Sequence, residues 1–308
     1  MRRDWASMLA ILVVIAAAWG MTQPLAKIAV SDGYRHFGII FWQFTVGATL
    51  LAIINRARGK GLPLTPPHLA LYVIIALIGT LLPNSASYTA AIHLPSGILS
   101  ILLSMVPMLA FPIALAWGMD RFSPARLTGL LLGFAAILLI ALPGSSLPDP
   151  AMVWWLPMAL IAPAFYAFEG NFIARYGTEG LDAVQVLLGA SVTGLVMTAP
   201  LALMTGQWIS PLPPYGAPDL AVLLSACLHA LAYTGFVWVV GRAGAVFAAQ
   251  VAYLVTGFGI LWAKLILGEA YSPWVWGAIA LMFVGLFLVQ PRRKEPLDGA
   301  MVLGDDAR

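Results

Sequence analysis

Ten apolar stretches follow one another along the chain, separated by short connections. Each is close to the roughly 20 residues that a helix needs to cross the hydrocarbon core of a bilayer. They run approximately over 5–30, 37–55, 69–91, 95–117, 124–142, 151–176, 182–204, 218–241, 244–267 and 273–290. No connection is long enough to hold a soluble domain, and the longest, 205–217, is rich in Pro and Gly. The chain is 61% hydrophobic and only 9% charged, whereas a soluble domain carries about 25% charged residues. The apolar excess must therefore face lipid. The runs are unbroken rather than alternating, which excludes a membrane β-barrel, and they are too apolar for a disordered chain. The sequence predicts an all-α integral membrane protein of ten transmembrane helices, with membrane lipid as its solvent.

The net charge is +3 and the basic residues are scattered, so there is no basic face for nucleic acid. Cys227 is the only cysteine, which excludes an intrachain disulfide and a cysteine metal cluster. Arg2 and Arg3 followed by an apolar run look like a signal peptide. The run continues past Ala16–Ala18 to Val30, however, and reads as an uncleaved first span. With the N-terminus in the cytoplasm, the inner segments collect 13 of the 16 Lys and Arg. The outer segments hold Arg35 alone, and Lys27 and Lys264 lie within spans. This asymmetry places both termini in the cytoplasm.

An internal duplication supports the count. Gly268-Glu-Ala-Tyr-Ser-Pro273 aligns with Met119-Asp-Arg-Phe-Ser-Pro124, Gln23-Pro-Leu-Ala-Lys27 with Asn171-Phe-Ile-Ala-Arg175, and Asn84-Ser-Ala-Ser-Tyr-Thr89 with His229-Ala-Leu-Ala-Tyr-Thr234, at offsets of 145 to 149 residues. Residues 1–142 then form a first five-helix repeat, 143–150 a linker, 151–290 a second repeat and 291–308 a cytoplasmic tail. Five spans is an odd number, so the second repeat enters the membrane from the opposite side. Inverted repeats of this kind underlie many transporters.

The 5+5 plan, Trp19-Gly20 in the first span and the Gly-Glu-x-x-Ser-Pro element before the last span resemble the drug/metabolite transporter superfamily, EamA type. Within it, the chain is most similar to bacterial aromatic amino-acid exporters of the YddG type. The resemblance covers roughly residues 5–290. It implies a multi-pass protein of the bacterial inner membrane that exports small metabolites by alternating access, with no cofactor; a monomer is compatible with this plan. The first half carries Met119-Asp120 where the second carries Gly268-Glu269, so any role of this acidic position is expected to be asymmetric.

Polar groups inside a membrane turn towards partners or water. Thr80, Asn84 and Tyr88 fall at i, i+4, i+8 in the third span, and Ser225, His229 and Tyr233 do the same in the eighth. These repeat-related stripes read either as facing walls of one cavity or as interhelical hydrogen-bonding glue. Trp19, Gln23 and Lys27 share a stripe in the first span, with Lys27 near enough to its end to snorkel. Ser100 and Ser104 lie in the fourth span, and Gln250, Tyr253 and Thr256 in the ninth. Pro24, Pro83, Pro107, Pro112, Pro157 and Pro163 sit inside spans, where each removes a backbone hydrogen bond.

Glu169 is the one carboxylate deep in a span, with Tyr166 on its face. It reads as a coupling residue, binding protons or a substrate ammonium, or as a lateral partner of Arg175 or Arg242. His93 is expected at a wet outer turn. Many of the eleven Trp lie at span ends, as interface anchors do. The substrate-binding set is thus Trp19, Gln23, Asn84, Tyr88, Ser104, Tyr166, His229, Tyr233, Gln250 and Tyr253. An aromatic wall with few charges suits a small amphipathic solute such as an amino acid, and alternatively another small organic metabolite or a cationic drug. No His-Glu-x-x-His, Gly-x-Ser-x-Gly, intramembrane Asp pair or phosphate loop is present, which argues against an enzyme or an ATP-driven pump. The absence of a repeated filter argues against a channel.

Overall fold

The computed structural model describes residues 2–142, 146–243 and 250–289, and they contain helices and no strand. The helices are α1 (Arg2–Ser31), α2 (His36–Ala57), α3 (Pro66–Ala76), α4 (Leu82–His93), α5 (Ser96–Leu103), α6 (Val106–Ala116), α7 (Pro124–Ala141), α8 (Leu156–Tyr176), α9 (Ala183–Met204), α10 (Ala217–Ala243), α11 (Val251–Leu267) and α12 (Pro273–Val289). Eight helical stretches are long and apolar enough to cross a membrane, while Val251–Leu267 and Pro273–Val289 are shorter apolar helices. The expected start of the ninth span at Gly244, the end of the tenth at Gln290 and the tail 291–308 lie outside the described residues.

The expected third span is one path of 28 residues, Pro66–His93, but it is not uniform. A π-turn at Leu77–Leu81 separates α3 from α4, and Leu82 N–H donates to Leu77 O, five residues back. Pro83 follows at once and has no N–H to give, so the regular ladder could not continue through it. The fourth span is similarly divided. Ser104 and Met105 N–H donate to Ile101 O at 3.1 Å and Leu102 O at 3.0 Å, three residues back, and Pro107 lies in the first turn of α6. The sixth span begins as a 3-10 turn, Pro150–Trp155, before α8.

The two halves pack in a reciprocal pattern. Helix α1 lies against α10 and α11, and its counterpart α8 lies against α4 and α6. Helix α2 packs on α10 as its counterpart α9 packs on α3. The remaining principal pairs, α2 with α9, α5 with α11 and α7 with α12, join an element to its own counterpart. These counterparts run antiparallel. The end of α2 meets the start of α9 where Arg58 and Lys60 reach Asp182 at 2.8 and 2.6 Å. At the other end, Phe37 N–H donates to Gln207 Oε1 at 2.9 Å. Asp182 also caps α9 in a capping box with Gln185. Burial works against its charge, but Arg58, Lys60 and this cap hold its carboxyl well below the usual carboxylate range.

Small residues set how closely the helices approach, as is common where no water is expelled. A Cβ on Gly285 would stand 2.7 Å from Gly129 O, and one on Gly129 would stand 2.6 Å from Gly285 O. The conflict is with backbone on both sides, so it cannot be relieved by a rotamer. Gly285→Leu should therefore separate α7 from α12 and destabilise the fold by about 1–3 kcal/mol. Leu138→Ala, on the open face of α7 where Leu138 is 53% exposed, should have little effect in detergent. Thermal unfolding of the two purified variants followed by circular dichroism checks this, and equal melting temperatures would contradict it.

Candidate functional site

Two clusters of polar and aromatic side chains occupy the interior. The first joins α2, α4 and α8. Tyr166 O–H donates to Asn84 Oδ1 at 2.6 Å, and Asn84 Nδ2–H donates to Gln43 Oε1 at 2.9 Å. Tyr88 O–H donates to the same Gln43 oxygen at 2.9 Å. The Asn84/Tyr88 stripe thus faces Tyr166, and Gln43 of α2 links them. Gln43 was not legible in the sequence because it is a lone amide in its span, with no second polar residue one turn away to form a stripe. Its signal was the mid-span position alone, between Trp42 and Phe44.

The second cluster joins α1 and α10. Trp19 Nε1–H donates to His229 Nδ1 at 3.3 Å. The Trp19 ring lies 6.1 Å from His229, 6.2 Å from Tyr233 in an edge-on arrangement, and 5.5 Å from Phe236. In accepting this bond, Nδ1 is left without a proton, so the imidazole is neutral here with its hydrogen on Nε2. Asn84, Tyr88 and Tyr166 therefore come together on one side and Trp19, His229 and Tyr233 on the other.

Glu169 lies between the clusters, within electrostatic reach of both Tyr166 and Tyr233. It rests directly on the π-turn of the third span: a Cβ on Gly79 would stand 2.7 Å from Glu169 Cδ. Only glycine allows this approach, and π-turns inside helices recur at functional sites. Neither cation considered as its lateral partner pairs with it. Arg175 donates to Trp117 O at 2.7 Å and lies over the Trp117 and Tyr176 rings, and Arg242 stacks over Trp238 at 4.8 Å. No described residue hydrogen-bonds to the Glu169 carboxylate. Nor is that carboxylate sealed in, because among the described residues Asn55 Oδ1 is the one side-chain polar atom shut away without a partner. The Glu169 carboxylate is thus half-buried and not fully enclosed.

The other expected site residues lie apart. Gln23 is half-buried one turn beyond Trp19, with no hydrogen-bond partner among the described residues. Ser104 is buried at the break between α5 and α6 and donates to Ile101 O at 2.6 Å, within its own turn. Gln250 immediately precedes α11, and Tyr253 sets its ring 6.0 Å from Phe283 of α12. Lys27 is half-buried, and its Nζ donates to Ala91 O at 2.7 Å and Ile92 O at 3.2 Å, capping the last carbonyls of α4. His93 stacks on Trp155, with centroids 3.6 Å apart and planes 8° apart.

The acidic positions of the two repeats have different partners. Glu269 accepts from Ser96 N–H at 2.7 Å, Ser96 O–H at 2.8 Å, Gly97 N–H at 3.0 Å and Tyr271 O–H at 2.6 Å. It therefore caps the N-terminus of α5 across the chain, where the helix dipole favours a negative charge. Burial, and then the bond to Glu269, raise the Tyr271 phenol, so it remains a donor at physiological pH. Asp120 instead pairs with Arg126 within its own segment. In this conformation the bundle is clasped from the second half at the 94–97 turn.

A separate cavity of about 490 Å³ lies between α2, α10 and the 209–216 segment, lined by Trp42, Ile209, Tyr215, Asp219 and Leu223 among others. Its carboxylate is already engaged: Asp219 accepts from Tyr34 O–H at 2.5 Å and Gly216 N–H at 2.7 Å. Burial, with this bond second, pushes the Tyr34 phenol up to about 12.

Comparison with known proteins places this architecture. A probable terminal-alkyne amino-acid exporter from Streptantibioticus cattleyicolor is 24% identical over 293 residues, covering 91% of this chain and 92% of that protein. The uncharacterized transporter YvbV of Bacillus subtilis is 24% identical over 308 residues, covering 98% of this chain and 96% of its own. A solved crystal structure shares the fold with a TM-score of 0.61 at 18% identity, over 92% of this chain and 97% of that one. The family model described as the EamA-like transporter family matches twice, over residues 5–142 and 153–290. The chain is a multi-pass membrane protein built from two such repeats, a transporter and not an enzyme, and it belongs to the EamA-like transporter family.

Proposed function

We propose that the protein is a secondary transporter of the bacterial inner membrane that exports small amphipathic metabolites, namely amino acids including aromatic ones. It crosses the membrane ten times with both termini cytoplasmic and works by alternating access around a central site between the repeats. The observation that carries this reading is the unpartnered Glu169 carboxylate between two aromatic and amide clusters, one from α2, α4 and α8 and one from α1 and α10. An amino acid offers what such a site lacks: a cation for the carboxylate, a polar end for amides and an apolar side chain for the rings. The probable terminal-alkyne amino-acid exporter of S. cattleyicolor, similar over nearly its whole length, supports the same substrate class. The proposed binding residues are Trp19, Gln23, Asn84, Tyr88, Ser104, Tyr166, His229, Tyr233, Gln250 and Tyr253, with Glu169 as the coupling residue. The orientation rests on the charge asymmetry of the sequence. Reciprocal packing of antiparallel counterparts supports alternating access, because two similar halves can exchange conformations.

Counterflow of radiolabelled amino acids into liposomes holding the purified protein tests the reading. Saturable exchange is expected, and its absence across a panel of aromatic, aliphatic and small amino acids would refute it. Tyr88→Ala and Tyr233→Ala should each slow phenylalanine more than alanine, by about two- to tenfold, since an aromatic contact contributes about 0.5–1.5 kcal/mol. Equal loss for both solutes would point to a packing role. Glu169→Gln removes a titratable group from the centre, so the pH profile of exchange should change shape. An unchanged rate and profile would remove Glu169 from the mechanism. A reporter fused after Arg293 should be active only if it works in the cytoplasm; a periplasmic signal would overturn the ten-crossing count.

A further inference from the structure

Gln43 has one end of its amide engaged and the other free. Both Asn84 Nδ2–H and Tyr88 O–H donate to its Oε1, which leaves the NH2 with two hydrogens to give. No described residue accepts them. The side chain is half-buried, and its nitrogen is not sealed away, since Asn55 Oδ1 alone among the described residues is in that position. The hydrogen bonds also run in one direction. Tyr166 donates to Asn84, Asn84 donates to Gln43, and the sequence ends in unspent N–H groups. Such chains polarise their members and strengthen the terminal donor.

Glu169 is the complement of this donor. It is acceptor-only when ionised, it lacks a partner, and it stands three residues along α8 from Tyr166. That spacing puts both side chains on one helix face, about 5–6 Å apart at Cβ. An uncommitted amide donor and an uncommitted carboxylate thus belong to one polar cluster, Gln43 joined through Asn84 to Tyr166 and Glu169 one turn along α8 from Tyr166.

The geometry points to Gln43 as the specificity-determining residue for a carboxylate group, with its NH2 donating to the substrate carboxylate while Glu169 receives the substrate ammonium. The site then selects zwitterions. It takes free α-amino acids in preference to amines that lack the carboxylate and to acids that lack the amine, because each of these leaves one desolvated polar group of the protein unpaired. This inference rests on the amino-acid reading above and adds to it the chemical feature that is recognised.

The test uses the full chain in liposomes, with phenylalanine, phenethylamine and 3-phenylpropionate as probes. The parent should exchange phenylalanine at least about tenfold faster than either analogue, the scale of one charge-assisted hydrogen bond. Gln43→Glu keeps an acceptor oxygen for Asn84 and Tyr88 and replaces only the NH2, so the interior network can persist. In this variant phenylalanine exchange should fall about tenfold or more, while phenethylamine is unchanged or faster. Glu169→Gln should slow phenylalanine without favouring phenethylamine. If the parent carries phenethylamine as fast as phenylalanine, carboxylate recognition is refuted. Equal loss of both probes in Gln43→Glu makes Gln43 a structural member of the network, and an unchanged preference removes it from specificity; either result overturns the assignment while leaving the amino-acid reading intact. Absence of exchange for every amino acid in the parent would overturn that reading, and this inference with it.

Discussion

Inside hydrocarbon no water is at hand to satisfy a backbone or side-chain polar group, so every such group must find a partner within the protein or face a water-filled space. Helix form follows from this requirement, and so do the departures from it. Where Pro83 withholds an N–H, the chain inserts a π-turn in which Leu82 bonds to Leu77 O. Where Pro107 does so, Ser104 and Met105 bond three residues back, and the Ser104 hydroxyl adds a further bond to Ile101 O. Lys27 caps two carbonyls of α4, and Glu269 satisfies two N–H groups at the start of α5. The helix irregularities and the buried charges are thus two sides of one requirement. The irregularities lie in the third and fourth spans, and the charges that satisfy their ends come from α1 and from the segment before α12.

The same requirement explains why the halves are similar without being equivalent. Their principal packing partners exchange, α1 on α10 and α11 against α8 on α4 and α6, so the helices are arranged reciprocally. The polar contacts break the symmetry. Glu269 reaches across to the opposite repeat, whereas Asp120 stays with Arg126 in its own. A symmetric pair of clasps would hold both ends of the bundle at once and oppose access from either side. With one clasp formed, the two ends of the bundle differ in how they are held.

Much of the fold was legible in the sequence, because span length and the short connections are dictated by bilayer thickness. Helix ends such as Ala57, Ala141, Met204 and Leu267 fall within two residues of the expected span limits. That Asn84 shares a face with Tyr88, and His229 with Tyr233, followed from helical spacing; that Tyr166 joins the first pair and Trp19 the second did not. What escaped was information carried between spans. Gln43 has no polar neighbour one turn away, and its role comes from two donors more than forty residues distant. The two carbonyls that Lys27 caps were hidden because the sequence cannot show that α4 ends beside it. The π-turn at 77–81 was hidden for a related reason: Pro83 announces a missing hydrogen bond, but neighbouring helices decide whether the chain kinks, breaks or inserts a residue.

The interior combines two kinds of polar group that behave differently when a solute arrives. Those already paired, such as Tyr166, Asn84 and Tyr88, cost little further desolvation and hold the walls in place. Those left unpaired, among them Glu169, Gln23 and the NH2 of Gln43, can gain from a solute, because each otherwise relies on water. A carrier must bind firmly enough to be selective and weakly enough to release on the far side. On the proposed reading, much of the polar lining is committed to itself and only a few groups, among them Glu169, Gln23 and the NH2 of Gln43, remain available, so binding comes from a few directed contacts plus aromatic packing. Those contacts come from α1, α2 and α8, and the rings of Trp19 and Tyr233 come from α1 and α10. On the same reading, a solute held by both groups touches α8 and α4 on one side and α1 and α10 on the other, with α2, which packs on α10, between them. Relative movement of these helices would then change its binding, as alternating access requires.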